Sequence, residues 1–530
     1  MRKFLRFLNT VKHLRFKQIV YQIFYKLSVK IRKRGGFFYL LSRPSKSYKL
    51  ELLHSIVSFQ SKNEKSFTFL NQTYYFEEKI DWNYSKLGKL WTYNLTYFDF
   101  LQQNKMSSRM GEKLIHNFIE QMGIIRDGLD PFPISLRGSN WIKFLSHHKI
   151  KNQKIDNALF AQYYILIKNL EFHLLGNHLL ENAFSLLFGA FYFRNDKFYR
   201  KAKEILVKEL KEQILEDGAH FELSPMYHQL MLYRVLDCFN LIKHNTYKNQ
   251  ELLVLFEEKA KIMLGWINTM TFKNGNIPLF NDSANGISPT TDQLNTYAKE
   301  LCINHEQPLY NNQLTTSGYR KYVQSSYELV VDIGDIGPDY IPGHAHADIF
   351  NFELYLGKKP FIVDTGISTY EKNAIRHMER STASHNTVTI NDTNQSQVWG
   401  GFRVGQRAKI IDLDEAENII IATHDGYKNL GIIHQRSFRS EKEKIEIIDN
   451  LIGKKVKGNA YFHLHPSITN IVIKKDKVNF LNLECQINFE GGSLNIEKEI
   501  YDYAFGFNKT QKSIVIIASF KKYLVTRILI

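Results

Sequence analysis

The spacing of apolar residues changes character once along this chain, and that change limits the fold to two domains of different class. From about residue 84 to residue 301, apolar side chains recur every three or four positions, as in Ile155, Ala158, Leu159, Ala161, Ile165 and Leu166, and again in Leu179, Leu180, Ala183, Phe184, Leu187 and Phe188. That is helix periodicity, and turns such as Asn195-Asp196 and Asp217-Gly218 cut it into segments of helix length. After about Thr315 the texture becomes short β-branched and aromatic runs over residues 329–333, 350–356, 361–364, 386–390, 419–423, 445–449, 461–465 and 513–520. Turn pairs such as Asn391-Asp392 and Ile452-Gly453 separate them, which predicts an antiparallel β-sandwich or layered β assembly. At 530 residues the chain also exceeds what one hydrophobic core usually serves. The expected class is α+β multidomain: a basic N-terminal segment over residues 1–45, a helical domain over 46–312 and a β domain over 313–530, with the boundary in the polar stretch 307–317.

Charge narrows the partners. Lys and Arg outnumber Asp and Glu by 70 to 53, a net +17, so the chain is suited to polyanions such as nucleic acid, anionic membrane or acidic polysaccharide. There is no zinc-finger spacing, no RRM-type aromatic motif and no basic helix leading into heptads, which argues against nucleic acid. Cys238, Cys302 and Cys485 are too few and too far apart for a disulfide framework or a CxxC site. The first 36 residues are basic and amphipathic, with Phe4, Leu5, Leu8, Val11, Leu14, Ile19, Val20, Ile23 and Leu27 interrupted by Lys12, Arg15, Lys17 and Lys26. Such a segment holds neither a signal peptide nor a membrane span; it reads as a helix lying on an anionic membrane surface or packed on its own domain. The expected location is cytoplasmic or membrane-peripheral, with the periplasm or cell envelope as the alternative.

Chemistry-bearing residues cluster in the β half. His344 and His346 in Gly343-His344-Ala345-His346-Ala347-Asp348 are two apart, so in extended chain they point to one side. Asp364 follows His346 by eighteen residues at the end of a strand-sized run, and His385 follows by twenty-one more. Three adjacent strands could unite His346, Asp364 and His385 as two nitrogen ligands and one oxygen ligand, a set that suits zinc; histidines satisfied structurally at strand ends are the competing reading. The HxHxD spacing also matches the ligand motif of metallo-β-lactamases, but Ile349 stands where that motif continues with histidine. In the helical half, Gly176-Asn177-His178 and Glu222-Leu223-Ser224-Pro225-Met226-Tyr227-His228 each precede an apolar helix. Asn177 and Ser224 read as N-caps or as groups at a groove, and Pro225 suits the first helical position.

Taken in order, six motifs resemble the heparinase II/III family of polysaccharide lyases, including its alginate-lyase-like members. They are Trp91-Thr92-Tyr93-Asn94-Leu95 with Tyr97-Phe98-Asp99, Asn140-Trp141-Ile142-Lys143-Phe144, the run from Gly176 to Asn182, Ser224-Pro225-Met226-Tyr227-His228, the run from Gly343 to Asp348, and the run from Arg380 to Val388. The resemblance implies an N-terminal incomplete α/α toroid followed by a C-terminal antiparallel β-sandwich, and β-elimination of a uronate-containing polysaccharide in a cleft between them. It implies that Asn177 binds the uronate carboxylate, that Tyr227 acts as acid and base, that His344 assists proton abstraction and that His178 lines the site. It also implies a structural divalent metal, zinc by donor type, on His346, Asp364 and His385. Arg137, Trp141 and Arg380 are the expected substrate-binding residues, with Arg376 and Arg403 as further cations for the carboxylate or the phenolate; a core fate for the tryptophan and structural ion pairs for the arginines are the competing readings. A cationic cleft lining is the expected use of the net charge. The basic opening resembles relatives associated with bacterial surface-polysaccharide assembly. An epimerase outcome shares the first proton abstraction, and a metal-dependent hydrolase or a non-catalytic glycan-binding protein of polysaccharide assembly are the readings from other classes.

Overall fold

The computed structural model describes residues 2–35, 46–53, 56–58, 60–63, 65–248, 250–304, 314–481 and 483–530. The expected boundaries at residue 45 and near residue 312 fall outside the described residues. Two helices, α1 (Arg2–Val11) and α2 (Phe16–Gly35), come first. A three-stranded antiparallel sheet, β1 (Ser61–Asn63), β2 (Ser66–Phe69) and β3 (Gln72–Tyr75), follows where helical structure was expected. It belongs to the helical domain because alternate residues Phe67 and Phe69 of β2 turn inward and meet Phe100 and Trp91.

The helical domain proper runs through α3 (Lys89–Tyr97), α4 (Ser108–Gln121), α5 (Pro131–His147), α6 (Gln153–Lys168), α7 (Gly176–Phe193), α8 (Asp196–Gln213), α9 (Pro225–His244), α10 (Glu251–Met270) and α11 (Thr291–Glu300). Short turns fold each helix back on a neighbour, so α5 packs on α7, α7 on α8 and α9 on α10. The α7–α8 turn shows why the chain reverses there: Arg194 takes a left-handed conformation at φ 47°, and the Asn195 side chain caps α8 by accepting from Phe198 N at 3.1 Å. In α7 every residue except His178 is buried, so this helix is enclosed all round and sits at the centre of the domain.

Beyond residue 314 the chain forms β4 (Tyr319–Val323), β5 (Tyr327–Asp332), β6 (Phe352–Leu356) and β7 (Lys359–Ile362), an antiparallel sheet in that order. A short helix, α12 (Ala374–Glu379), and β8 (Val388–Ile390) lead to the pair β9 (Val398–Trp399) and β10 (Arg403–Val404). The remaining strands are β11 (Ile410–Ala416), β12 (Ile419–His424), β13 (Ile432–Glu441), β14 (Lys444–Gly453), β15 (Lys457–His463), β16 (Ile471–Lys474), β17 (Lys477–Phe480), β18 (Gln486–Gly506) and β19 (Lys509–Leu529). They build a second sheet in the order β11-β12-β13-β14-β19-β18-β17-β16, with β15 pairing both β19 and β8. All six residues of β5 are buried, because Leu329 and Val331 face the large sheet while Val330 faces the helical core. The small sheet is therefore the middle layer of the molecule. Its connections, residues 333–351 and 363–387, emerge beside the ends of α7 and α9, where the candidate site lies. Among the described residues no helix is long and apolar enough to cross a membrane.

Candidate active site

Two helix N-termini form one wall of the cleft. The chain enters α7 through Leu175 (φ 64°) and Gly176 (φ 56°), two successive positive-φ residues, and L side chains rarely adopt the second conformation. A Cβ there would also meet Glu222 Oε1 at 2.8 Å and Ile341 Cδ1 at 2.9 Å. This entry leaves Asn177 inside the first turn rather than capping it. Its backbone N donates to Glu222 Oε1 and its Nδ2 to Glu222 Oε2, both at 3.2 Å, while its Oδ1 is buried without a partner at the cleft. Ser224 does cap α9, accepting from Tyr227 N at 3.3 Å, with Pro225 at the first helical position. Tyr227 projects from that first turn into a cleft that Asn177, Glu181, Arg234 and Tyr370 also line.

The opposite wall comes from the β domain. His344 lies with its ring centroid 4.0 Å from that of Tyr227, and the Tyr227 hydroxyl stands 3.2 Å from that of Tyr370. The His344 Nδ1 donates to the Asp282 Oδ2 carboxylate at 2.8 Å, which leaves Nε2, 3.8 Å from Glu222 Oε2, as the ring nitrogen that Asp282 does not engage. Asp282 is fully buried and is the hub of the wall: Arg376 grips it with both terminal nitrogens, one at 2.7 Å, and His346 Nε2 reaches its other oxygen at 2.8 Å. Burial works against its charge, but Arg376, His344 and His346 together hold the carboxyl well below the usual carboxylate range. Burial also lifts the Tyr227 hydroxyl well above the ordinary phenol value, with Asp282 and Glu222 adding to the lift against Tyr370 and Arg376. Tyr227 therefore rests as a phenol. Glu222 is likewise raised by burial, which His344 and the Asn177 amide only partly offset.

Behind Asp282 lies a second cluster. His346, Asp348 and His385 are all buried and offer ligand atoms within 4.8 Å of one another. His346 Nδ1, Asp348 Oδ2 and His385 Nε2 are each buried without a hydrogen-bond partner, whereas such atoms are normally satisfied. The outer nitrogens explain why these particular atoms are free. His346 Nε2 is engaged by Asp282, and His385 Nδ1 by Asp364 Oδ2 at 2.7 Å. Two carboxylates thus fix both imidazole tautomers from behind, as they do at metal centres. Burial pushes His346 down to about 3, so it is neutral, the form that ligates. Two nitrogens and one carboxylate oxygen fit zinc. Relative to the expected set, the carboxylate oxygen that groups with the two imidazoles is that of Asp348, while Asp364 orients His385 from behind; Asp364 lies just past β7 with its carboxylate already accepting from Asn351 Nδ2, Gly366 N and His385.

With this geometry in hand, two family models account for most of the chain: Heparinase II/III N-terminus over residues 137–306 and Heparinase II/III-like, C-terminal over residues 306–528. The chain belongs to the heparinase II/III family. Heparin-sulfate lyase of Bacteroides stercoris is 25% identical over 347 residues, covering 60% of this chain and 49% of that protein. Heparin-sulfate lyase of Pedobacter heparinus is 25% identical over 383 residues, covering 64% and 56%. The chain spans about half the length of the curated relatives it matches. Among solved structures, a crystal structure of heparinase III superposes with a TM-score of 0.64 at 16% identity, over 86% of this chain and 79% of that one. The Streptomyces coelicolor A3 chondroitin AC lyase, in complex with chondroitin sulphate, gives 0.52 at 8% identity over 84% and 74%. These likenesses establish the heparinase-type fold, a helical region followed by an antiparallel β-sandwich.

Within this heparinase II/III fold, several expected site residues have structural roles instead. Arg137 is fully buried, donating to Gln162 Oε1, Thr96 O and Gly128 O, so it ties α5 to its neighbours and does not reach the cleft. Trp141 is also fully buried, edge-on to Phe98 and Phe118 in the aromatic core. Arg380 spends its guanidinium on Ala345 O and Gly401 O, bracing the loop between His344 and His346. His178 is about one-third exposed and faces Glu171 Oε1 at 3.2 Å; burial lowers its basicity, but Glu171, with Glu222 and Glu181 behind it, raises it overall. His228 is held between His220 N and Met263 O, inside the core. The expected cationic lining is not present: among the described lining residues Arg234 faces Asp99 and Glu181, and it is paired with Glu181 at 2.9 Å. Glu222, Asp282, Arg234 and Tyr370 are the site residues that sequence reasoning did not assign. Glu222 stood inside a recognised motif, but Asp282 lies 62 positions before His344 in an Asn-Asp-Ser stretch that reads as an ordinary turn.

Proposed function

We propose that the cleft binds an acidic, uronate-containing polysaccharide and cleaves it by β-elimination. The observation that carries this reading is a protonated Tyr227 that lines the cleft together with Asn177 and stacks against His344, whose Nδ1 is held by Asp282. His344 Nε2 takes the proton from the carbon next to the uronate carboxylate. The electrons form a C4–C5 double bond and expel the glycosidic oxygen, which takes the Tyr227 proton; solvent exchange then resets imidazolium and phenolate. No water is consumed. The developing enolate needs a donor at its carboxylate. Asn177 supplies it when Glu222, whose raised value favours a proton, donates to Asn177 Oδ1 and so turns Nδ2 toward the cleft. The positive ends of α7 and α9 add to the attraction for the anion, and Arg234 is the cation within reach of further acidic groups.

The cluster of His346, Asp348 and His385 is proposed to hold one divalent cation, zinc by donor type. Bound there, it would neutralise Asp348 and fix the loop that carries His344, outside the reacting atoms. The heparin-sulfate lyase relatives and the fold support the lyase class. The test is to incubate the chain with a panel of uronate polysaccharides in heavy-oxygen water and weigh the fragments. Elimination predicts unsaturated ends that absorb in the ultraviolet and carry no heavy oxygen. Saturated fragments with one heavy oxygen per cut would establish a hydrolase instead.

A further inference from the structure

The N-terminal helices carry an arrangement that the cleft chemistry does not use. An ordinary surface helix turns its apolar stripe inward. In α2 the inward side is Gln18, Tyr21 and Tyr25: Gln18 is buried and donates to Tyr340 O at 3.2 Å, Tyr21 packs on Phe172, and Tyr25 stacks on His173 at 4.1 Å. The opposite stripe, Phe16, Ile19, Val20, Ile23, Phe24 and Leu27, keeps perfect helix spacing and faces solvent, with Phe16 80% and Ile23 59% exposed. Phe4, Leu5, Phe7 and Leu8 of α1 are exposed as well, although Trp399 Nε1 donates to Thr10 Oγ1 at 3.1 Å and stacks under Arg6. Of the 29 large apolar side chains exposed among the described residues, 11 lie between residues 4 and 27. That concentration makes a patch rather than the usual scatter.

The same segment is where the positive charge resides. Residues 1–35 contain eleven Lys and Arg and no Asp or Glu, so eleven of the seventeen net charges are here and six are left for the rest of the chain. A second copy of the chain would bring two such cationic surfaces together, against their repulsion. An anionic lipid surface satisfies both features at once, taking the apolar stripe into the acyl boundary and the cations at the headgroups. Among the described residues neither helix is long and apolar enough to cross a membrane, so contact through the exposed stripe would set α2 along such a surface. We propose that α1 and α2 form an interfacial docking element for an anionic membrane. It is a rigid mount rather than a tether, because Arg15 pairs with Glu212 and covers Tyr340 at 3.7 Å while Thr10 holds the β domain through Trp399.

The test uses the full chain and sedimentation with vesicles, either of phosphatidylcholine alone or of equal parts phosphatidylcholine and phosphatidylglycerol. Binding to the mixed vesicles alone, weakening as salt rises, is the expected result. Replacing Phe16, Ile23 and Leu27 together by Ser, or Lys12 and Lys26 together by Ser, should each lower the affinity about tenfold or more. Both variants should keep the wild-type melting temperature, and two independent chemistries guard against a folding artefact. Equal binding to both vesicle types, no binding to either, or a solution dimer that the apolar variant converts to monomer would each overturn the proposal.

Discussion

Asp282→Asn is the substitution on which the wall of the site depends most. The side chain keeps its shape, so the change removes charge and inverts hydrogen-bonding character at a fully buried point that now receives Arg376 twice, His344 Nδ1 and His346 Nε2. An asparagine has one oxygen to offer and presents two N–H groups where a donor already stands. Removing one partner of a buried ion pair costs about 3 to 5 kcal/mol, a loss a chain of this size can survive with a lowered melting temperature. The larger effect is on the proton. If the new amide donates to His344 Nδ1, the imidazole proton moves to Nε2 and the free base facing the cleft disappears, which removes about two to four orders of magnitude from the rate of elimination. Ultraviolet detection of unsaturated ends gives that rate, at a temperature where denaturation curves show the variant folded, and nitrogen NMR of the His344 ring reports the tautomer. A folded Asp282→Asn enzyme with the wild-type rate and an Nδ1-protonated His344 would refute the reasoning.

Three further outcomes follow from the same contacts. Glu222→Gln should keep most of the activity, because its carbonyl accepts from Asn177 N and its amide donates to Asn177 Oδ1 as a protonated Glu222 would; Glu222→Ala should lose about 3 kcal/mol of transition-state stabilisation, read as kcat/KM. The protein as isolated should contain one equivalent of divalent metal by elemental analysis, Asp348→Asn should abolish it, and Asp364→Asn should weaken it about ten- to a hundredfold by releasing His385. His228 is pushed down to about 3 by burial, against about 6.5 in an unfolded chain. The unfolded state therefore takes up the proton first, and stability falls as pH drops below about 6.5, by about 1.4 kcal/mol per unit for this group until the folded value is reached. Denaturant titrations from neutral to mildly acid pH should show a shallower slope for His228→Gln.

What could be read from the chain beforehand followed the physics of local pattern. Helices α6 to α10 bury continuous stripes, and strands such as β12 and β14 alternate, so periodicity found them. β18 escaped because its middle is exposed on both faces and is held by main-chain pairing with β19. The first small sheet escaped because its strands are only three or four residues long. At the site, Asn177, Tyr227 and His344 stood in motifs dense with polar groups at helix or loop ends, where the structure also puts them. The sequence cannot tell a buried arginine from one that meets substrate, so Arg137 and Arg380 read as substrate contacts although both donate to buried backbone carbonyls. Asp282 had no local signature at all: its importance comes from loop 281–283 lying against residues 344–346, where Asp282 N donates to His344 O and His346 N to Asn281 Oδ1.

The central claim is that Tyr227 delivers the proton to the leaving glycosidic oxygen in an elimination. Its most direct test is the initial rate of unsaturated-uronate formation by Tyr227→Phe beside the wild type on the same polysaccharide. Phenylalanine keeps the ring that packs against His344 and removes only the hydroxyl. The account predicts a folded variant whose rate falls by about two to four orders of magnitude. A Tyr227→Phe protein that forms unsaturated ends at the wild-type rate would contradict it.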